Sequence, residues 1–190
     1  MNVDPSRIAV GDLARHLAAG YYAFLVAHLV ATNPQSINSL PPPKEFGQDP
    51  TGEIKRKDGT FHTLNLRHYL DLLRTDQNLQ GDFLRAWAMG ALLTLGNELA
   101  KHRYFDHAPT LELVYHLRNG IAHGNRFNIN EKGRKRLAKY QAHNCHAAVN
   151  SPSGTRFEVH PQLKGSILFD FMGAADVIDL LQSVEIHLAR

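Results

Sequence analysis

Arg118-Asn119-Gly120-Ile121-Ala122-His123 places a guanidinium and an imidazole on one short segment, with a carboxamide directly after the first. Imidazole exchanges a proton near neutral pH, and guanidinium grips two phosphate oxygens with a planar fork that lysine does not reproduce. RNA carries its own nucleophile, the 2′-hydroxyl beside the scissile phosphate. A proton carrier and a cation for the charge developing on phosphorus are therefore most of what its cleavage requires. The segment reads as the end of a helix opened by Ala108-Pro109-Thr110 and closed by His123-Gly124. At about 100° per residue, Leu113, Val114, Leu117 and Ile121 gather on one side and His116, Asn119, Gly120 and His123 on the other. His116, Asn119 and His123 then share one ridge, with Gly120 a gap that admits another backbone or a phosphate. Arg118 lies about 140° from His123 on an ideal helix, so a curled side chain, a helix distortion or a second subunit has to bring the two together. At the carbonyl end of the helix a cation is favoured by about 0.3–1 kcal/mol, which leans His123 toward the general-acid role. A polar stripe of this kind is also what a solvated helix face looks like.

The elements that position these residues read as helices. Asp4-Pro5 is an N-cap followed by proline in the first turn, and Ile8, Leu13, Leu17, Tyr21, Phe24, Leu25 and Leu29 recur at helical spacing until Asn33-Pro34. Residues 33–60 carry Pro34, Pro41 to Pro43, Pro50, Gly47, Gly52 and Gly59 and read as a long loop. A second helix is expected from Leu64 to Asn78 and a third from Phe83 to Tyr104, with Gln80-Gly81-Asp82 as the break between them. After the Arg118 helix, Arg126 to Ile129 and Thr155 to His160 alternate like short strands around a basic stretch and a Ser-Pro-Ser-Gly turn, which suggests a hairpin within 125–165. Helical spacing returns from Ile167 to Leu188. The fold class expected is all-α, an antiparallel helical bundle forming one domain over 1–190.

In this context Arg118, Asn119 and His123 resemble the motif of the HEPN superfamily, in which Arg precedes His by four to six residues and is followed directly by a polar residue. The resemblance implies a helical bundle that dimerises so that the motif helices of two subunits face one another across a cleft. It further implies a metal-independent endoribonuclease, many similar proteins being toxins of toxin-antitoxin, abortive-infection or other defence systems. On that resemblance Arg118 and His123 are the catalytic pair and Asn119 orients them. One departure is plain. The subgroup paired with nucleotidyltransferase antitoxins has Tyr two residues after the His, whereas this chain has Asn125, which argues against that partnership and against tyrosine modification. The rival expectation is a HEPN-like domain without catalysis that binds RNA or nucleotides or serves as a dimeric scaffold.

Lys132, Arg134, Lys135, Arg136 and Lys139 can track an RNA backbone by counterion release or form a solvated surface helix, and His116 is a further candidate RNA contact on the motif ridge. Lys55 to Lys57 make a weaker patch. Tyr21, Tyr22 and Phe24 can stack on bases, but their helical spacing beside Leu and Val favours a core role. His143, Cys145 and His146, like His102 and His107, lack the further ligands of a closed zinc site, so no metal and no cofactor is expected. Gly120 and Gly124 lack the Lys-Ser/Thr or preceding strand of a phosphate loop, and no Gly-x-Ser-x-Gly elbow occurs.

Composition bounds these readings. The 190 residues are 43% apolar and 21% charged with a formal net charge of +3, which describes a folding chain whose charge permits nucleic acid without demanding it. The single cysteine excludes an intrachain disulfide and points to a reducing cytoplasm. Tyr21 to Ala31 is too short for a membrane span, and Met1 to Gly11 lacks the features of a signal peptide. The expected partners are RNA, a second copy of the chain and an antitoxin protein, with no membrane.

Overall fold

The computed structural model describes residues 4–149 and 154–190. Most of them are helical, and the chain divides into two compact units, one of residues 1–22 with 85–190 and one of residues 23–84. The two longest helices are α1 (Pro5–Thr32) and α3 (Gln77–Lys101). No helix among the described residues is long and apolar enough to cross a membrane.

The first unit is built around α4 (Pro109–Ala122). Its start is fixed as the sequence indicates, by Pro109 in the first turn, and its end by Gly124 in the left-handed region at φ 82°. Around it the core draws Val10, Ala14, Ala18 and Tyr21 from α1, and Ala88, Ala91, Leu92, Leu95 and Leu99 from α3. Tyr21 stacks on Trp87 with ring centroids 5.0 Å apart, which places it in the core, whereas Tyr22 is exposed. Helix α5 (Glu131–Lys139) is the basic stretch, capped by Asn130, whose side chain accepts from the Gly133 amide. The C-terminal segment is two helices, α6 (Leu168–Phe171) and α7 (Ala174–Leu188). The break falls at Gly173, whose amide donates to Asp176 Oδ2 at 2.8 Å, a cap that starts a new helix. Both α6 and α7 pack on α4.

Between α4 and α6 no hairpin forms among the described residues, in contrast to the expectation. The alternation in Thr155 to His160 is real, since Phe157 and Val159 point into the core while Arg156 and Glu158 pair outside at 2.7 Å. Yet among the described residues the segment forms no ladder with Arg126 to Ile129: Glu158 bridges His143, Phe157 exchanges hydrogen bonds with Asn144 and Val159 donates to the Ala142 carbonyl, while Arg126 bridges Ile167. Of the expected Ser-Pro-Ser-Gly turn, Ser151 to Ser153 lie outside the described residues.

In the second unit one strand lies within the expected 33–60 loop, and its partner follows the loop and takes the first two residues, Leu64 and Asn65, of the expected second helix. β1 (Thr51–Lys55) and β2 (Phe61–Asn65) pair antiparallel in the register Thr51 with Asn65 through Lys55 with Phe61. Gly59 at φ 88° and the Asp58 side chain, which accepts from the Thr60 amide at 2.9 Å, make the turn. Asn65 then caps α2 (Leu66–Thr75) by accepting from the His68 amide. The break between α2 and α3 is Asp76, whose Oδ1 accepts from the amides of Asn78 and Leu79; Gln80-Gly81-Asp82 lies inside α3. A satisfied N-cap contributes about 1 kcal/mol, as much as a mid-helix glycine costs, so the side chain that binds the free amides decides the boundary.

Candidate functional site

Helix α4 has almost no free face. Leu113, Val114 and Leu117 are buried as their spacing indicates and Ile121 is half-buried, but Thr110, Leu111, Glu112, His116 and Gly120 are buried as well. The polar ridge expected along His116, Asn119 and His123 is thus broken by burial. His116 is 3% exposed and its Nε2 has no hydrogen-bond partner among the described residues. Burial pushes its pKa down to about 4, against the opposing pull of the Glu112 charge. Its place in the core does not suit the RNA contact expected of it. The gap at Gly120 is filled by the chain itself: a Cβ there would lie 2.9 Å from the Arg126 carbonyl and 3.0 Å from a Leu168 methyl, leaving no room for a phosphate.

Arg118 is the motif residue whose placement is most fully specified. Its stem lies against Gly96 of α3, where a Cβ would come within 2.6 Å of Arg118 Cγ and 2.7 Å of its Cβ. Only glycine leaves that slot open. The guanidinium then donates from Nε at 3.0 Å and from Nη2 at 2.7 Å to the Oδ1 of Asn97, and from Nη1 at 3.1 Å to the Oδ1 of Asn119. Three of its five N–H donors are spent in this way and two remain. Asn97 is exposed, and Arg118 and Asn119 are half-buried, so the group faces solvent. His123 ends α4 at φ −115° and ψ 39° and is exposed, with no side-chain hydrogen bond among the described residues. Gly96 and Asn97 were not singled out from the sequence. Their signal is weak but present, two poor helix formers side by side in the apolar run Leu92 to Leu99.

The basic helix α5 is only partly available to a ligand. Arg136 turns inward, donating from Nε and Nη2 to the wholly buried Glu112 at 2.5 and 2.7 Å and lying 3.9 Å over the Tyr115 ring. His107 Nδ1 meets the same carboxylate at 2.8 Å and stacks on Tyr140. Arg136 is therefore an anchor between α5 and α4 and not one of five equivalent surface cations. Its charge answers a buried carboxylate, and the hydrogen bonds it donates to Glu112 raise its pKa. Lys135 pairs with Glu131 within the helix, Lys139 lies over the Tyr140 ring, and Lys132 and Arg134 are exposed and make no ion pair among the described residues. His143 and His146 pack edge to face, with His143 Nε2 against Gln141 and its Nδ1 accepting from the Cys145 amide. Among the described residues no three of His, Cys, Asp or Glu gather as metal ligands.

The chain matches no protein-family model, no curated protein and no solved structure.

Proposed function

We propose that this protein is a metal-independent endoribonuclease of the HEPN type, working as a homodimer, with a toxin or defence effector as its biological role. The observation that carries the reading is the seating of Arg118: its stem in the Gly96 slot, its head held by Asn97 and Asn119, and two donors left for a ligand. Ordering a long side chain costs rotamer entropy, and an ordered guanidinium at the surface is what phosphate recognition requires. In the reaction the RNA 2′-oxygen attacks phosphorus and forms the new P–O bond while the bond to the 5′-oxygen breaks. His123 donates the proton that the departing 5′-oxygen takes up, and Arg118 neutralises the phosphorane oxygens. The 2′-hydroxyl proton passes to the second imidazole that the partner subunit brings to the cleft, or to water. The products are a 2′,3′-cyclic phosphate, opened by water to a 3′-phosphate, and a 5′-hydroxyl end. Pairing Arg118 of one subunit with His123 of the other removes the angular separation of the two along a single helix.

The test is gel-resolved cleavage of total RNA and of tRNA in EDTA by wild type, Arg118→Ala and His123→Ala, each checked for folding by circular dichroism. Loss of a proton donor costs about 10²–10⁴-fold and loss of the charge-stabilising donor about 10²–10³-fold. Cleavage by wild type alone is the expected result. No cleavage, or cleavage indifferent to both substitutions, transfers the protein to the binding or scaffold class, and absence of growth arrest on expression removes the toxin role.

A further inference from the structure

The residue at position 97 is an amide where a carboxylate would hold Arg118 more tightly. The guanidinium already makes its hydrogen bonds to an amide charge-assisted, and a carboxylate would add direct attraction between opposite charges, so a position selected only to fix the guanidinium gains from a negative charge. An asparagine fixes the same two donors and leaves the positive charge unneutralised. The chemistry also settles which way the amide faces. Guanidinium has no acceptor, so the Asn97 atom lying 2.7 and 3.0 Å from Arg118 nitrogens is Oδ1, and the same holds for Asn119 at 3.1 Å. Both Nδ2 groups therefore sit on the arm of the amide that does not meet the guanidinium, and neither donates to any described residue. The group as a whole offers donors and one positive charge, with both amide oxygens turned toward Arg118. The nearest carboxylate in sequence, Glu98, is occupied by Lys101 at 2.9 Å and His102 at 3.4 Å.

We propose that Asn97 is a phosphate-contacting residue, its Nδ2 joining the two remaining Arg118 donors and the Asn119 amide in a donor-rich site for a phosphodiester oxyanion of single-stranded RNA. The choice of RNA as ligand rests on the ribonuclease reading; the anion site itself does not. Asn97 has two tasks here, holding Arg118 through its oxygen and binding substrate through its nitrogen, and one substitution separates them. Asn97→Asp keeps two acceptors for Arg118, so its holding function is preserved, while it removes both donors and cancels the charge.

The experiment measures binding in EDTA of two probes, inorganic phosphate by calorimetry and a fully 2′-O-methylated RNA oligonucleotide by fluorescence anisotropy, to wild type, Asn97→Asp, Asn97→Ala and Arg118→Ala. Cleavage of unmodified RNA is assayed in parallel. Wild type should bind both probes, Asn97→Asp should weaken both by about tenfold or more, and Asn97→Ala by somewhat less. Asn97→Asp binding as well as wild type, in a protein with unchanged circular dichroism, overturns the proposal and leaves Asn97 a positioning residue only. Failure of wild type to bind either probe overturns it as well. Binding sensitive to position 97 without cleavage of unmodified RNA upholds the anion site and removes the ribonuclease, whereas cleavage indifferent to Asn97→Asp does the reverse.

Discussion

Burial of His116 makes the stability of this protein fall on mild acidification. The ring is 3% exposed, its Nε2 is unpartnered, and its pKa lies at about 4 instead of the ordinary 6.5 because burial disfavours the charged form. Between those values the folded protein keeps the ring neutral while the unfolded chain protonates it. The unfolded state then binds more protons, so the contribution is fully present above pH 6.5 and is lost as pH falls toward 4. For a single group with these two values the loss is about 2 kcal/mol between pH 7 and pH 5, and about 3 kcal/mol once both states are protonated. The neighbouring charges on Glu112 and Arg136 oppose one another, the first raising and the second lowering the pKa. The perturbation is His116→Leu, which removes the titrating ring and its orphaned nitrogen while keeping the site filled. Replacing a buried unsatisfied polar group by an apolar one is close to neutral at neutral pH. Urea unfolding followed by circular dichroism at pH 7 and pH 5, for both proteins, isolates the His116 contribution, because the other titrating groups are common to the two. Wild type should lose about 2 kcal/mol more than the variant over that interval. Parallel losses would mean that the folded protein protonates His116 freely, and the burial argument for α4 would fail with it.

Two further outcomes follow from the same packing. Gly96→Ala drives a methyl to within 2.6 Å of Arg118 Cγ, so the side chain must leave its slot even though alanine favours the helix by about 1 kcal/mol. RNA cleavage should fall by about 10²-fold with the melting temperature within about 4 °C of wild type, and undiminished cleavage would show that Arg118 need not be held. Glu112→Gln takes the counter-charge from Arg136 at a wholly buried position. Stability at neutral pH should drop by about 3 kcal/mol in urea unfolding, and a drop of less than about 1 kcal/mol would show that the α4 to α5 anchor is not energetic.

The helix ends that the sequence reveals are those set by residues acting on their own backbone. Asp4-Pro5, Asn33-Pro34, Ala108-Pro109 and His123-Gly124 mark α1 and α4 because proline fixes φ, Asp4 and Asn33 accept from nearby amides, and Gly124 takes a left-handed turn. The strands are a different matter. Thr51–Lys55 and Phe61–Asn65 are short, largely exposed, and defined by their register across a turn, so their apolar pattern is too weak to show against the surrounding prolines and glycines. Thr155 to His160 has the stronger alternation and is not a strand, because alternation reports which side chains are buried and not whether a partner strand exists.

The candidate site was half legible for a related reason. Helical periodicity tells which side of α4 is most apolar, but it does not tell whether the opposite side is covered, and here α5, α6 and α7 leave little of it open. Each polar residue on a covered helix must then find its own solution. Glu112 takes Arg136 and His107, Gly120 admits a backbone carbonyl, and His116 stays neutral. None of these leaves anything over for a ligand. Arg118 differs, because its partners are two amides, which satisfy some of its donors and none of its charge. Glu112 shows that this fold can pair an arginine with a carboxylate, there an α4 carboxylate with an arginine brought from α5. That Arg118 is instead ordered without being neutralised sets it apart from the structural polar groups of α4, and the partner that fixes it, Asn97, lies 21 residues upstream on another helix, beyond the reach of any local motif.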